Sequence, residues 1–557
     1  MKTIGFKNFR RFENLEPLQL SGVNFFVGGN NSGKSTVTKA IMLLHSNLTT
    51  KQFASLAFAS FESVVTAPKI DVFRFDINDS VHVGTFARAL HKPYPEVKEI
   101  VFETQLGDYN FIYTITSNLE STSSVADIKC IEVTNLQTNV HYIFNMEERL
   151  FSVEYNTSIL KKFASQLDYI SDRFSIVSYA RKQSVRSRSD DSQSLLLLRK
   201  KTLLEESLAE AKNPIEIARL NNELSLIEGK LSILSNEIAD DVNPFEDDRT
   251  FEDNKDTKFV SPFGNYVSAQ RPDSLLSILN VQWKRFKTTS TTNEEEVSDR
   301  DLSHVLPSEK AFMLMLACDG ENLKGVFFRH NIEYIPAHAV SQKILFSIDD
   351  KNDYMGQVIR ELASLKLTSG DKDYRFIETW MKKFEIGLGF EIKPIEGEAY
   401  AVSVISRDDN DGIPLADLGM GAIQLILLLM HLVIIKNKTA KYQDTLVIIE
   451  EPEQNLHPKF QSMLADLFAY VNEKFGFRLV IETHSEYIIR RTQAMIATGE
   501  VSFEDNPFKV YYFPENGQPY DMEYQESGLF AKKFGDGFFD EASRQHLTVI
   551  KKARELQ

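Results

Sequence analysis

At 557 residues the chain is longer than one ordinary domain, so two or three units are expected. Its composition, 42% apolar and 25% charged, is ordinary for a soluble globular protein. A formal net charge of −16 argues against a surface that coats nucleic acid indiscriminately, because phosphate binding needs local positive potential; a basic groove within an acidic body stays open.

The opening "MKTIGFKNFRRFENLEPLQL" alternates apolar and polar residues and carries no apolar h-region, so no signal peptide is expected. The run "VNFFV" (Val23 to Val27) reads as a buried strand, and "VTKAIMLLHSNL" as an amphipathic helix. Between them lies "GGNNSGKST", which fits G-x-x-x-x-G-K-[ST] with Gly28, Gly33, Lys34 and Ser35 in register. Asn30, Asn31, Ser32 and Thr36 complete the loop. Glycines let consecutive N–H groups turn onto phosphates, and the helix N-terminus adds its positive dipole end. Lys34 is expected to reach the β/γ-phosphates of ATP, and the Ser35 hydroxyl to sit on Mg²⁺.

Period-2 runs follow, "FRFDINDSVHVG", "VKEIVFETQLGDYNFIYTITSN", "IKCIEVTNL" and "NVHYIFNM", and predict an antiparallel sheet beside the nucleotide-binding core. Two cysteines, Cys130 and Cys318, suit neither a disulfide framework nor a Cys-rich zinc site, and a reducing cytoplasm fits them. Helical sequence from Ser194 breaks at Asn213-Pro214. Ile217, Leu220, Leu224, Ile227, Leu231, Leu234 and Ile238 then follow in steps of three and four, which predicts a coiled-coil hairpin over about 194–239. Acidic, polar linkers come after it. The basic runs "YARKQSVRSRS" and "WKRFK" are candidate nucleic-acid contacts, with solvated loops as the plainer reading.

The run "AIQLILLLMHLVII" (Ala422 to Ile435) is short for a membrane span and is expected to be a buried helix. "DTLVIIEEPEQNLHP" holds an apolar strand ending in two acids: Glu450 to hold Mg²⁺ and Glu451 to polarise the attacking water. In "FRLVIETHSEYIIRR" a second apolar strand ends at Thr483-His484-Ser485. There His484 becomes the candidate γ-phosphate sensor, at the strand edge where ligands gather in open α/β sheets.

The phosphate loop, "LGMGAIQ", "IIEEPEQNLHP" and "THS", in that order, resemble an ABC-type ATPase head of the RecF, SMC and OLD-like branch of AAA-like ATPases. The resemblance covers about 1–120 and 395–557. It implies an α/β head with an antiparallel β subdomain and a helical insertion. The expected division is 1–150 and 331–557 for the two parts of the head, with 151–330 as the insertion. It further implies nucleotide sandwiched between two heads, with Gly419 and Gly421 of "LADLGMGAIQLILL" closing on the γ-phosphate of a second chain. Gly419 stands where the family usually has serine, which points to slow hydrolysis. Asn455 and His457 fall in the D-loop, Arg10 or Arg11 near the base, and His82 or Gln105 at the Q-loop.

Within that branch the chain is most similar to PtuA-type antiphage ATPases (Septu and certain retrons), which assemble with an HNH nuclease, PtuB. Asp536, Asp540 and Glu541 of "GDGFFDE" read as a solvated turn rather than a nuclease centre. A RecF-like repair ATPase and an ATP-gated structural oligomer are the alternatives.

Overall fold

The computed structural model describes residues 1–49, 72–160, 256–262 and 330–555, apart from short gaps within these ranges, and single positions between 315 and 329. The chain divides into two compact units. One comprises Met1–Glu154, Lys258–Arg285 and Asp319–Gln557, the other Tyr155–Thr257 and Phe286–Cys318. The predicted hairpin at 194–239 and the basic runs at 179–189 and 283–287 lie outside the described residues.

In chain order the described elements begin with β1 (Thr3–Phe9), β2 (Phe12–Gln19), β3 (Val23–Gly28), α1 (Lys34–Thr49), β4 (Val72–Arg74), β5 (Asp76–Asn78), β6 (Val81–His82) and α2 (Phe86–Ala89). Next come β7 (Glu99–Leu106), β8 (Tyr109–Thr116), β9 (Val125–Asn135), β10 (Val140–Asn145), β11 (Leu150–Asn156) and β12 (Asp256–Pro262). Then follow β13 (His330–Ile335), β14 (Leu345–Ser347), α3 (Tyr354–Ser364), α4 (Lys372–Lys383), β15 (Gly389–Ile395), β16 (Ala399–Ile405), β17 (Ile413–Pro414) and α5 (Met420–Thr439). The last are β18 (Asp444–Glu450), α6 (Pro458–Phe475), β19 (Phe477–Thr483), α7 (Glu486–Ala497), β20 (Phe508–Phe513), β21 (Tyr520–Asp521) and α8 (Glu541–Glu555).

The runs of alternating residues form an antiparallel sheet in the order β12-β11-β10-β9-β8-β7-β1-β2, with β4 paired to β9. Burial alternates along β7 and β8, as a sheet with one covered face requires. A second sheet, β13-β18-β19-β3-β20-β21, is parallel from β13 to β20. Its central strands are mostly apolar and buried because helices cover both faces; all six residues of β3 are buried, Asn24 among them. Phe25 and Val27 belong to the core shared with α3 to α7, whereas Phe26 packs on Tyr511 and Phe513. Asn24, fully buried in β3, accepts from the Ser21 N–H (2.8 Å) and donates to the Leu479 carbonyl (2.8 Å). The buried amide is thereby satisfied and ties β3 to β19.

Among the described residues, α5 alone is long and apolar enough to cross a membrane. It is buried among α3, α4 and the parallel sheet, as expected of "AIQLILLLMHLVII". Loop 28–36, Glu450-Glu451 and Thr483-His484 leave the C-terminal ends of β3, β18 and β19. These three adjacent parallel strands thus deliver their chemistry to one rim.

Candidate nucleotide site

Loop 28–36 can turn because two of its three glycines, Gly28 and Gly33, stand where no other residue fits. Gly28 has φ +154° and a Cβ there would lie 2.3 Å from the Phe513 carbonyl oxygen; Gly33 has φ +108° and its Cβ would meet the Phe12 ring at 2.5 Å. Asn31 adopts a left-handed φ of 58°, which asparagine tolerates better than most residues. Its carbonyl accepts a hydrogen bond from Arg11 Nη1. Thr36 N–H donates to Gly33 (3.0 Å) and starts α1. Arg10, Arg11, Asn31 to Thr36 and Lys39 enclose a cavity of about 370 Å³.

Four features of this cavity suit a nucleotide triphosphate with its Mg²⁺. Its glycines permit the tight turn, α1 points its N-terminus inward, cations ring the mouth, and the Ser32 hydroxyl is buried without a hydrogen-bond partner. Lys34 is buried and folds back on the carbonyls of Gly28 and Gly29, both at 2.9 Å. Burial lowers its pKa, against the charges of Glu482, Glu451 and Glu453. Three donors on a flexible stem let it exchange these carbonyls for phosphate oxygens.

The acids are arranged more richly than the sequence reading held. Glu450 ends β18, and Tyr334 of β13 hydrogen-bonds its carboxylate; burial first, and then this carboxylate, raise the pKa of the phenol. Glu451 sits at φ 41°, a conformation that costs a non-glycine residue about 1 kcal/mol or more and that persists only where the surroundings impose it. Its N–H is fixed on the Glu482 carbonyl (2.8 Å). Its carboxylate accepts from Gln454 and stands 3.8 Å from His484 Nε2. Burial, then the Lys34 charge, hold the His484 pKa below its usual value, so a neutral imidazole faces this carboxylate near pH 7. The His484 N–H donates to Glu453 Oε1 at 2.6 Å, while Glu453 Oε2 is buried without a partner.

Sequence reasoning missed Glu482. It pairs with Glu450 across the parallel strands β18 and β19, and its carboxylate receives the Ser35 hydroxyl at 2.8 Å and the Thr38 hydroxyl. Burial, joined by the Glu450 charge, pushes its pKa up to about 7. Its signal was present in "LVIET": an acid on the same buried strand, one residue before the threonine that had drawn attention.

Gly419 and Gly421 stand at the start of α5, and neither lines the cavity at loop 28–36. Gly419 caps the helix with open space around it. A Cβ on Gly421 would lie 2.4 Å from the Asn455 carbonyl oxygen, in the turn after Glu451 of the same chain. Gln424, one helical turn on, donates to the Glu451 carbonyl at 3.4 Å. His457 caps α6 by accepting from Lys459 N–H. Gln105 bonds the Gly107 carbonyl and lies at the Thr3 end of β1, opposite the end that leads to Arg10. His82 lies on the two-residue strand β6, and neither it nor Gln105 lines the cavity. In "GDGFFDE", Asp540 pairs with Arg544 (2.9 Å) and Glu541 accepts from Gln545 (2.6 Å), both within the first turns of α8; Asp536 lies outside the described residues.

A family model described as AAA ATPase domain matches residues 1–489. Comparison with curated proteins found no match. Among solved structures, the chain is similar to the Smc head domain of Pyrococcus furiosus, with an extended coiled coil and bound to the C-terminal domain of ScpA. The identity is 12%, with 99% of each chain covered and a TM-score of 0.28. The Smc head of Pyrococcus yayanosii matches at 10% identity over 95% of this chain and 97% of that one, TM-score 0.31. The SMC head of Thermotoga maritima matches at 8% over 94% and 98%, TM-score 0.28.

Proposed function

Because the chain belongs to the AAA ATPase domain family, we propose that the rim formed by β3, β18 and β19 binds ATP with Mg²⁺ and hydrolyses it slowly between two ABC-type heads. The observation that carries this reading is the meeting of Lys34 and Ser35 with Glu450, Glu451 and His484 at the ends of three adjacent parallel strands. Lys34 and the loop N–H groups hold the phosphates, and Arg10, Arg11 and Lys39 add positive charge at the mouth. Ser35 and Glu450 hold the Mg²⁺, which neutralises the charge on the phosphates. Glu451, oriented by Gln454 and its own strained backbone, accepts a proton from water; neutral His484 donates toward the γ-phosphate.

Gly419 and Gly421 open α5, and the open space around Gly419 supports contact with a second head there, while Gly421 packs on the Asn455 turn of its own chain. The chain acts in the cytoplasm, divided as a split head (1–150 and 331–557) around the 151–330 insertion. Its nucleotide cycle governs the assembly and activity of a partner HNH nuclease in antiphage defence, as in the PtuA-type ATPases it resembles.

The test is Glu451→Gln. This variant is expected to bind ATP as the parent does, to lose about 100-fold or more of its hydrolysis rate, and to accumulate as a head-to-head dimer in ATP. Steady-state phosphate release and light scattering read the two effects. Hydrolysis at the parental rate would remove Glu451 from the reaction, and a nucleotide-independent mass would remove the sandwich.

A further inference from the structure

Glu482 is a carboxylate only 4% exposed, held among the phosphate loop, α1 and the strand that carries Glu450. A buried acid costs several kcal/mol unless hydrogen bonds or a cation compensate it. Two hydroxyls meet it here, and they come from different places. Thr38 lies inside α1 and is fully buried, a strut between helix and sheet. Ser35 lies at the loop's end, is exposed, and lines the cavity where the phosphates and their cation would sit.

A hydroxyl has one proton and two lone pairs. With its proton committed to Glu482, Ser35 Oγ presents only lone pairs elsewhere, which is the orientation a divalent cation requires. A carboxylate behind a ligating group also raises that group's basicity, as outer carboxylates do for metal-bound histidine. Across the sheet, Glu482 is the register partner of Glu450, and paired residues on neighbouring parallel strands face the same side about 4.8 Å apart. Two carboxylates therefore stand side by side on this sheet, and one of them, Glu482, takes the Ser35 proton in a hydrogen bond.

We infer that Glu482 is a positioning residue for the divalent cation: it orients the Ser35 hydroxyl as a ligand and, together with Glu450, supplies the negative charge that retains the ion. This inference rests on the Mg²⁺·ATP reading of loop 28–36. Glu482 acts through Ser35 and touches neither water nor phosphate in this role, so its removal affects the ion before the nucleotide.

The experiment measures Mn²⁺ affinity by electron paramagnetic resonance in the presence of saturating non-hydrolysable ATP analogue, and analogue affinity separately in EDTA. Glu482→Gln keeps the shape and is expected to weaken Mn²⁺ binding about 10-fold or more, leaving the EDTA affinity within about twofold. Thr38→Val cuts the strut alone, and is expected to lower the melting temperature without changing Mn²⁺ affinity. If Glu482→Gln instead melts earlier and binds Mn²⁺ as the parent does, Glu482 is a strut and the inference falls. Should Glu482→Gln fail to fold, Thr38→Val decides: a matching loss of Mn²⁺ affinity there assigns the whole effect to packing and overturns the inference. An unchanged affinity in Thr38→Val supports it. A parent that binds the analogue with no Mn²⁺ effect refutes the underlying site reading itself, an outcome distinct from either of these.

Discussion

Gly419 and Gly421 look alike in "LGMGAIQ", yet their surroundings differ, and substitution should separate them. Gly419 is an N-cap with φ −63° and an empty shell, so Gly419→Ser should leave stability nearly unchanged and supply a capping hydroxyl. Gly421 abuts the Asn455 carbonyl, so Gly421→Ala forces α5 away from the turn that follows Glu451, at a cost of about 1–3 kcal/mol. Chemical denaturation of both variants checks the contrast; equal stabilities would mean the turn yields freely. A charge meant to probe head engagement therefore belongs at Gly419, where Gly419→Asp disturbs nothing within its own chain. Lys34→Ala removes the cation that reaches from the loop floor and should weaken ATP binding about 100-fold or more, read by equilibrium titration.

At the scale of elements, the antiparallel sheet is fastened by one acid. Asp319, 2% exposed, accepts from Tyr109 of β8 and Asn135 of β9 (both 2.8 Å) and from Tyr142 of β10. Three strands thus converge on one carboxylate about 200 residues away in sequence. Asp319→Ala removes the acceptor that three buried donors share and should destabilise by about 3 kcal/mol or more, whereas Asp319→Asn, which keeps one acceptor oxygen, should cost less. Thermal unfolding ranks them, and equal melting temperatures would show that the acid is incidental. This anchor had no signal in the sequence, because Asp319 belongs to no periodic run. The strands it gathers did: alternation in "NFIYTITSN", "IKCIEVTNL" and "NVHYIFNM" marks β8, β9 and β10 without any tertiary knowledge.

At the scale of the whole molecule, histidines kept neutral by burial lower stability as pH falls, while Glu482, whose carboxyl burial pushes up to about 7, acts in the opposite sense. Burial pushes His45 down to about 3 and His431 down to about 4. The Ile332 N–H donates to His45 Nε2, and His431 Nδ1 shares a 2.5 Å hydrogen bond with the Tyr354 hydroxyl. Above about pH 6.5 both folded and unfolded forms are neutral and no penalty applies. Below it the unfolded chain protonates these two imidazoles while the folded chain does not, so their contribution to stability declines as pH falls from 6.5 toward 4. Each site contributes roughly 2 kcal/mol of loss between pH 6.5 and 5. Denaturation midpoints of the parent and of His431→Phe should diverge as pH falls across that range, with the parent losing more; parallel curves down to pH 5 would contradict neutral burial.

What the sequence determined by itself is what short-range geometry and composition dictate. Loop 28–36 needs its glycines within nine residues, and β18 and β19 must be apolar because helices cover both faces of their sheet. Apolar runs ending in Glu450-Glu451 and in Thr483-His484 therefore announced a shared rim. Only the tertiary structure decided which acid meets Ser35. Strand order and register set Glu482 beside Glu450 and under α1, over 447 residues of separation, and no spacing rule spans that distance. It also decided that Gly421 serves its own turn at Asn455, since the contact exists only once α5 packs against the end of β18. Local sequence specifies which groups a strand end carries; the packing of strands and helices specifies which of those groups touch.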